Sequence, residues 1–183
     1  FIYPKVFDKR SQLSTLDNDE IAGAFSYSVF RNVIYKGLAS VENGEFSFQF
    51  VVPRDIDYTY GNGRISCYAL SGEIDAHGAS EDFIIGGTSN NVIPDDEGPE
   101  VQLYMNDSLF VRGGVTSDDP WLFARVFDDS GINTVGNGIG HDLKAVLDDD
   151  HSNPYILNSY FSADLDTYKS GTVRFPFKDL EDG

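Results

Sequence analysis

The chain has 183 residues, 30 of them Asp or Glu against 13 Lys or Arg, for a formal net charge of -17. That excess of carboxylates excludes nucleic-acid binding, which relies on Lys and Arg to neutralise phosphates, and it opposes adhesion to an anionic membrane surface. With 40% hydrophobic residues, including 14 Phe and 10 Tyr, the chain can fill a core, and its 18 Gly and 7 Pro suit short strands joined by turns.

The alternation begins early. Residues 33–41 and 45–52 predict a β-hairpin closed by Asn43-Gly44. In the second arm Phe46, Phe48, Phe50 and Val52 point one way and Glu45, Ser47 and Gln49 the other, until Pro53 ends the pairing. Another hairpin is predicted through Gly61-Asn62-Gly63, from residues 58–60 into 64–70. There Ile65, Cys67 and Ala69 share a face. Cys67 is the single cysteine, so it has no disulfide partner in the chain, and it is expected as a small buried apolar residue rather than a nucleophile. His77 falls in a predicted exposed turn, and a short strand over 82–85 leads to Gly86-Gly87. Residues 88–99, polar and punctuated by Pro and Gly, predict a linker. Beyond it Val101, Leu103 and Met105 share a strand face and residues 106–108 turn the chain. Further strands carry the sets Leu122, Ala124 and Val126; Leu143, Ala145 and Leu147; and Val173, Phe175 and Phe177. Helical signal is confined to one short turn within 159–168. The pattern predicts an all-β chain of two tandem small antiparallel β-sandwich (immunoglobulin-like) domains, 1–87 and 100–183, joined by the linker 88–99. There is no initiating Met or signal peptide, and the final Asp-Gly turn signal has no strand after it. Both sandwiches are therefore expected to be incomplete at the outer chain ends, the second truncated at its C-terminus, with an exposed edge that invites strand pairing.

No catalytic set emerges. A Gly-x-Ser-x-Gly elbow is absent. His141 opens the strand toward Leu147, His151 sits in an acidic loop, and Cys67 and His141 lie in different predicted domains, which makes them a poor dyad. Gly136-Asn-Gly-Ile-Gly140 has the look of a dinucleotide loop, but an alternating strand rather than a helix follows it, so a tight turn is expected. Oxygen-rich loops at Asp17-Asn18-Asp19-Glu20, at Asp148-Asp149-Asp150 and at Asp128, Asp129 and Asn133 offer hard ligands to calcium, without EF-hand spacing. They are expected to be solvated carboxylates and turn caps. A structural calcium could sit there, but neither a metal nor a cofactor is predicted, and no catalytic, cofactor-binding or metal-ligating residue is assigned. Trp121, just after Pro120, is expected in core or edge packing rather than in a sugar-stacking platform. No run is apolar enough to span a bilayer, so direct membrane insertion is not expected.

An ordered series of motifs runs through nearly the whole chain. In the first half it comprises Tyr3-Pro-Lys-Val-Phe-Asp-Lys9, Tyr35-Lys-Gly-Leu-Ala-Ser-Val-Glu-Asn-Gly-Glu-Phe-Ser-Phe48, Val52-Pro-Arg-Asp-Ile-Asp-Tyr58 and Gly61-Asn-Gly-Arg-Ile-Ser66. In the second half it continues with Gly98-Pro-Glu-Val-Gln-Leu-Tyr-Met-Asn-Asp107, Gly131-Ile-Asn133, Gly138-Ile-Gly-His-Asp142 and Leu157-Asn158. In order and spacing these resemble the C-terminal β-rich region of the type IX secretion system sortases, gingipain-related cysteine peptidases of Bacteroidota. The resemblance implies a catalytic Cys and His in a caspase-like domain N-terminal to this region, mapping onto neither Cys67 nor any His here. This chain would then be no enzyme by itself. It would be an accessory region of an outer membrane-associated, cell-surface protein that cleaves C-terminal sorting signals from secreted cargo and helps attach that cargo to the cell surface. Its implied partners are the catalytic domain of the same full-length chain, the C-terminal signal domains of cargo, and an outer-membrane barrel protein. The competing expectation is a stand-alone cell-surface adhesin or carbohydrate-binding module that uses Trp121 or surface Tyr.

Overall fold

The computed structural model describes residues 1–18, 23–90, 95, 97–135 and 142–181. These are all-β. In chain order the strands are β1 (Ile2–Phe7), β2 (Ser11–Ser14), β3 (Ser26–Val29), β4 (Val33–Lys36), β5 (Gly61–Asn62), β6 (Arg64–Ser71), β7 (Ile74–Ser80), β8 (Ile84–Ile85), β9 (Glu100–Met105), β10 (Trp121–Phe127), β11 (Lys144–Ala145), β12 (Tyr155–Ile156), β13 (Phe161–Ala163) and β14 (Ser170–Pro176). A 3₁₀ turn, Asn158–Tyr160, overlaps the start of the segment 159–168 where one short helical turn was expected. There is no α-helix among the described residues, and no helix long and apolar enough to cross a membrane. Two four-stranded antiparallel sheets carry the architecture, one ordered β4-β1-β6-β7 and the other β13-β14-β10-β9; β2–β3, β5–β8 and β11–β12 are small two-stranded sheets.

In β1 the alternation buries Ile2, Pro4 and Val6 and turns Tyr3, Lys5 and Phe7 to the other face. β10 does the same with Leu122, Ala124 and Val126, all buried between its neighbours β9 and β14. Val101 and Leu103 share the face of Met105 as expected but remain exposed, because β9 is the sheet's edge. The Asn43-Gly44 turn forms: both residues have positive φ (54° and 85°), and Glu42 and Glu45 exchange backbone hydrogen bonds of 2.9 and 3.0 Å. Both central residues at positive φ is the type I′ signature.

Three expectations need correction. Residues 46–52 form no ladder: Phe48 and Phe50 stack on the Tyr35 ring at 5.5 and 5.0 Å, while Phe46 and Val52 stay exposed. Ring stacking, rather than strand pairing, holds this arm against the core. Gly61-Asn62-Gly63 closes no hairpin; Gly61 and Asn62 pair with Ile85 and Ile84 instead. The hairpin is β6–β7, turned at Gly72 (φ 60°), so His77 lies mid-strand opposite Tyr68 and not in a turn.

Buried side chains from both sides of residues 88–99 belong to one contiguous cluster, with Val6, Ile34, Tyr35 and Ile85 from the first part and Leu122, Val126, Phe161 and Val173 among those from the second. Burying each such side chain contributes about 1.5–3 kcal/mol before entropy is counted. Polar contacts reinforce the junction. The Ser40 amide donates to Asp166 Oδ1 (2.8 Å), the Asp166 amide donates to the Leu38 carbonyl (3.0 Å), and Asn133 Nδ2 donates to Asp55 Oδ2 (2.6 Å).

Candidate functional site

The most highly organised polar cluster is built around Asp8, which is 2% exposed. Its Oδ1 accepts from the Lys9 amide (2.8 Å) and the Lys9 ammonium (2.7 Å), and its Oδ2 accepts from the Asp57 amide (3.2 Å). Lys9 Nζ also donates to the Asp57 carbonyl (2.7 Å). A Cβ at Gly61 would come within 2.6 Å of Lys9 Cδ. Residues from three of the ordered motifs, Asp8-Lys9, Asp57 and Gly61, therefore meet at one buried ion pair. Other motif residues also hold backbone. Asn158 accepts from the Leu143 amide and donates to the Thr134 carbonyl, both at 3.1 Å. Asn106 accepts from the Trp121 amide at 3.0 Å.

The candidate catalytic side chains do not assemble. Cys67 pairs in register with Pro4 and Gly78, while His77 pairs with Tyr68. Adjacent strand positions face opposite ways, so Cys67 and His77 lie on opposite faces of one sheet. Burial pushes the Cys67 thiol up, away from the reactive thiolate. His151 sits in a turn, its amide donating to the Asp149 carbonyl at 2.9 Å. His141 and the glycine-rich loop 136–140 lie outside the described residues.

The acidic loops serve as turn caps. Asp150 accepts from Asn153 Nδ2 (2.8 Å) and from the Ser152 amide (3.0 Å); these bonds, the Asn153 one foremost, hold its carboxyl below the usual range. Asp128 accepts from the Ser130 amide at 2.8 Å, Asp129 pairs with Lys169 at 3.2 Å, and Asn133 Oδ1 accepts from the Val135 amide at 3.0 Å. Asp17 adopts φ 52°, and Asp19 and Glu20 lie outside the described residues. Among the described residues no three His, Cys, Asp or Glu side chains come together as a metal site.

Two surfaces remain. On the first sheet Ile2, Phe46, Ile65, Cys67, Ala69, Ala76 and Gly78 line an open apolar trough of about 370 Å³ along the edge strand β7. On the second sheet, the face of β10 opposite the core carries Trp121, Phe123, Arg125 and Phe127. Trp121 is half-exposed, and the guanidinium groups of Arg174 and Arg125 lie 5.1 and 6.0 Å from the centre of the Phe123 ring. Attention to inward-facing sets passed over this one, although the Trp-Leu-Phe-Ala-Arg-Val-Phe alternation shows it.

No protein-family model matches the chain, and no curated protein matches it. Among solved structures it is similar to that of dimeric latent PorU from Porphyromonas gingivalis, with 31% sequence identity and a TM-score of 0.48. The similarity takes in 100% of this chain and 17% of that one, so the chain spans about a sixth of the length of the protein it is similar to.

Proposed function

We propose that the chain is a non-catalytic accessory and scaffold region of a type IX secretion sortase, a protein that cleaves C-terminal sorting signals from cargo and helps attach the cargo to the cell surface. The observation that supports this reading is the use of polar residues within the ordered motifs: the side chains of Asp8, Lys9, Asn106 and Asn158 are hydrogen-bonded to backbone, those of Asp8 and Lys9 to the backbone of Asp57. A region whose characteristic polar residues organise backbone is suited to holding other parts in place. On this reading the partners are the catalytic domain of the same full-length chain, cargo signal domains and an outer-membrane barrel protein, and the setting is extracytoplasmic at the outer membrane. Loops on a rigid β scaffold would supply the contacts.

The test has two steps. The reading frame upstream should encode a caspase-like domain with its own Cys and His; a frame without one sinks the proposal. In the full-length protein in its own cell, deletion of residues 1–183 should either leave the peptidase at the surface with cargo uncleaved or remove it from the surface. The first result assigns cargo presentation or support of the catalytic domain, and the second assigns anchoring. Unchanged processing and location would end the accessory reading.

A further inference from the structure

We propose that the free edge of β7 takes up an extended segment of a second protein as an added strand. The segment is apolar at alternate positions and carries Lys or Arg, and its apolar side chains fill the trough beside β7. The inference does not rest on the accessory reading.

The two edges of the first sheet are built differently. An edge strand leaves a row of backbone donors and acceptors without ladder partners, and proteins ordinarily blunt it with a short strand, a bulge, Lys or Pro. The β4 edge is blunted in this way. It is four residues long, its register with β1 shifts between Val6 and Phe7, it ends on Lys36, and just beyond it Leu38 bridges to Leu165. β7 has none of these devices. It pairs with β6 over all seven residues without a register shift, it is exposed throughout, and it contains neither Lys nor Pro. Among the described residues no strand pairs with its other side.

The side chains of β7 match an incoming strand. Ala76, Gly78 and Ser80 share one side, in register with Ala69, Cys67 and Ile65 of β6, which are in turn in register with Ile2, Pro4 and Val6 of β1. Rows that are buried at β1 therefore run out to β7 and end uncovered. At the free edge of the other sheet the core-side face carries the bulky Val101 and Leu103; at β7 the residues are small and leave the trough of about 370 Å³. Gly78 is the most informative of them. A glycine inside a strand weakens it, and its usual reasons are a bulge, a bend or the close approach of a ligand or another backbone. Gly78 sits in unbroken register, its φ is not positive, and a Cβ there would meet nothing within 4 Å. A close approach from outside is the reason that remains. Charge then selects the occupant. Glu73, Asp75 and Asp82 lie on or beside β7, and no Lys or Arg occurs from Ile65 to Val111. Basic residues on an incoming strand meet carboxylates at both ends of β7, whereas an antiparallel second copy of β7 would set those carboxylates against one another. In this mode main-chain hydrogen bonds give affinity and the hollow for alternate side chains gives specificity.

The probe is the peptide fluorescein-Lys-Val-Thr-Leu-Thr-Val-Lys-amide, titrated with the 183-residue protein and followed by fluorescence anisotropy. It should bind saturably below about 1 mM, and the same peptide with Glu in place of both Lys should bind about tenfold weaker at low salt. N-methylation of the Val-Leu-Val set or of the Thr pair removes one alternate set of ladder donors; one of the two should abolish binding and the other should be tolerated. Cys67 lines the trough and is the only cysteine, so the bound peptide should slow its alkylation by N-ethylmaleimide in step with occupancy. Gly78→Leu fills the trough without a clash and should raise Kd about tenfold or more, with an unlowered urea midpoint showing that the fold is kept, while Arg174→Gln on the other sheet should leave Kd unchanged. Absence of saturable binding, equal binding of the charge-reversed peptide, tolerance of both N-methylated sets or insensitivity to Gly78→Leu would overturn the proposal. So would a concentration-dependent dimer abolished by Gly78→Leu with no peptide bound, which makes a second copy the occupant, or protection of Cys67 by palmitate and not by the peptide, which makes it an acyl chain.

Discussion

Replacing Asp8 with Ala removes the acceptor of three hydrogen bonds and leaves the Lys9 ammonium with the Asp57 carbonyl as its remaining described partner. The two side chains are 3% and 13% exposed, so water compensates little. Breaking a buried pair by removing one partner costs about 3–5 kcal/mol. Because Lys9 keeps one hydrogen bond, the low end, about 3 kcal/mol, is expected here. Against a total stability of about 5–15 kcal/mol this is a large fraction. With a urea slope of about 2 kcal/mol/M, the unfolding midpoint falls by about 1.5 M. Adding Lys9→Met removes the orphaned charge, so the double variant should be more stable than the sum of the two single losses predicts by at least about 1 kcal/mol. Additive losses, or a midpoint shift for Asp8→Ala below about 0.3 M, would refute the idea that this pair holds the Asp57 segment to β1.

Gly44→Ala tests the Asn43-Gly44 turn: φ is 85° with no atom within 4 Å of a new Cβ, so the cost is backbone strain of about 1 kcal/mol. A thermal midpoint lowered by about 2–4 °C is expected, and an unchanged one means the turn is not formed. At Gly171 a Cβ would meet the Phe161 ring and, at 2.5 Å, the Ser162 carbonyl oxygen, so Gly171→Ala should cost about 1–3 kcal/mol through overpacking between β13 and β14 in urea unfolding. Burial raises the Cys67 thiol, and burial with the nearby Asp166 charge raises the Tyr35 phenol. Each loses its proton earlier in the unfolded chain, so its contribution is fully present below the unfolded value (about 8.5 for Cys and 10 for Tyr) and is lost as pH rises through the folded one. Urea midpoints should therefore fall above pH ~9, less steeply in Cys67→Ser; an identical slope in that variant would contradict the assignment.

The inward-facing sets were legible where β-branched and aromatic residues alternate, as in β10 and β14, because burial itself writes that pattern. β7 was not legible. Ile-Asp-Ala-His-Gly-Ala-Ser has little strand propensity and is exposed throughout, and only pairing with β6 makes it a strand. Residues 45–52 fail in the opposite way: the alternation correctly turns Phe48 and Phe50 inward, but alternation reports facing and does not require a ladder partner. The Gly61-Asn62-Gly63 signal was misassigned because turn chemistry specifies local conformation, whereas the partner of Asn62, Ile84, is fixed by tertiary packing. The Asp8 cluster could not be read from spacing, since Asp8 and Asp57 are brought together only by the fold.

The polar residues of the ordered motifs and the residues of the outward aromatic and arginine face form largely separate sets. Asp8, Lys9 and Asn158 direct their polar atoms toward backbone and gain their effect from burial or close packing. Trp121, Phe123, Arg125, Phe127 and Arg174 lie outside the ordered motifs and share the outward face of one sheet. The first set is costly to change because a buried polar atom without its partner cannot return to water. The second is cheap to change, because Arg125 and Arg174 are exposed and form no ion pair among the described residues. Substitution at Asp8 should therefore lower the urea midpoint, whereas Arg174→Gln should leave it in place. A variant pair that separates in this way distinguishes the residues that hold the fold from those that only cover it; equal midpoints would refute the distinction.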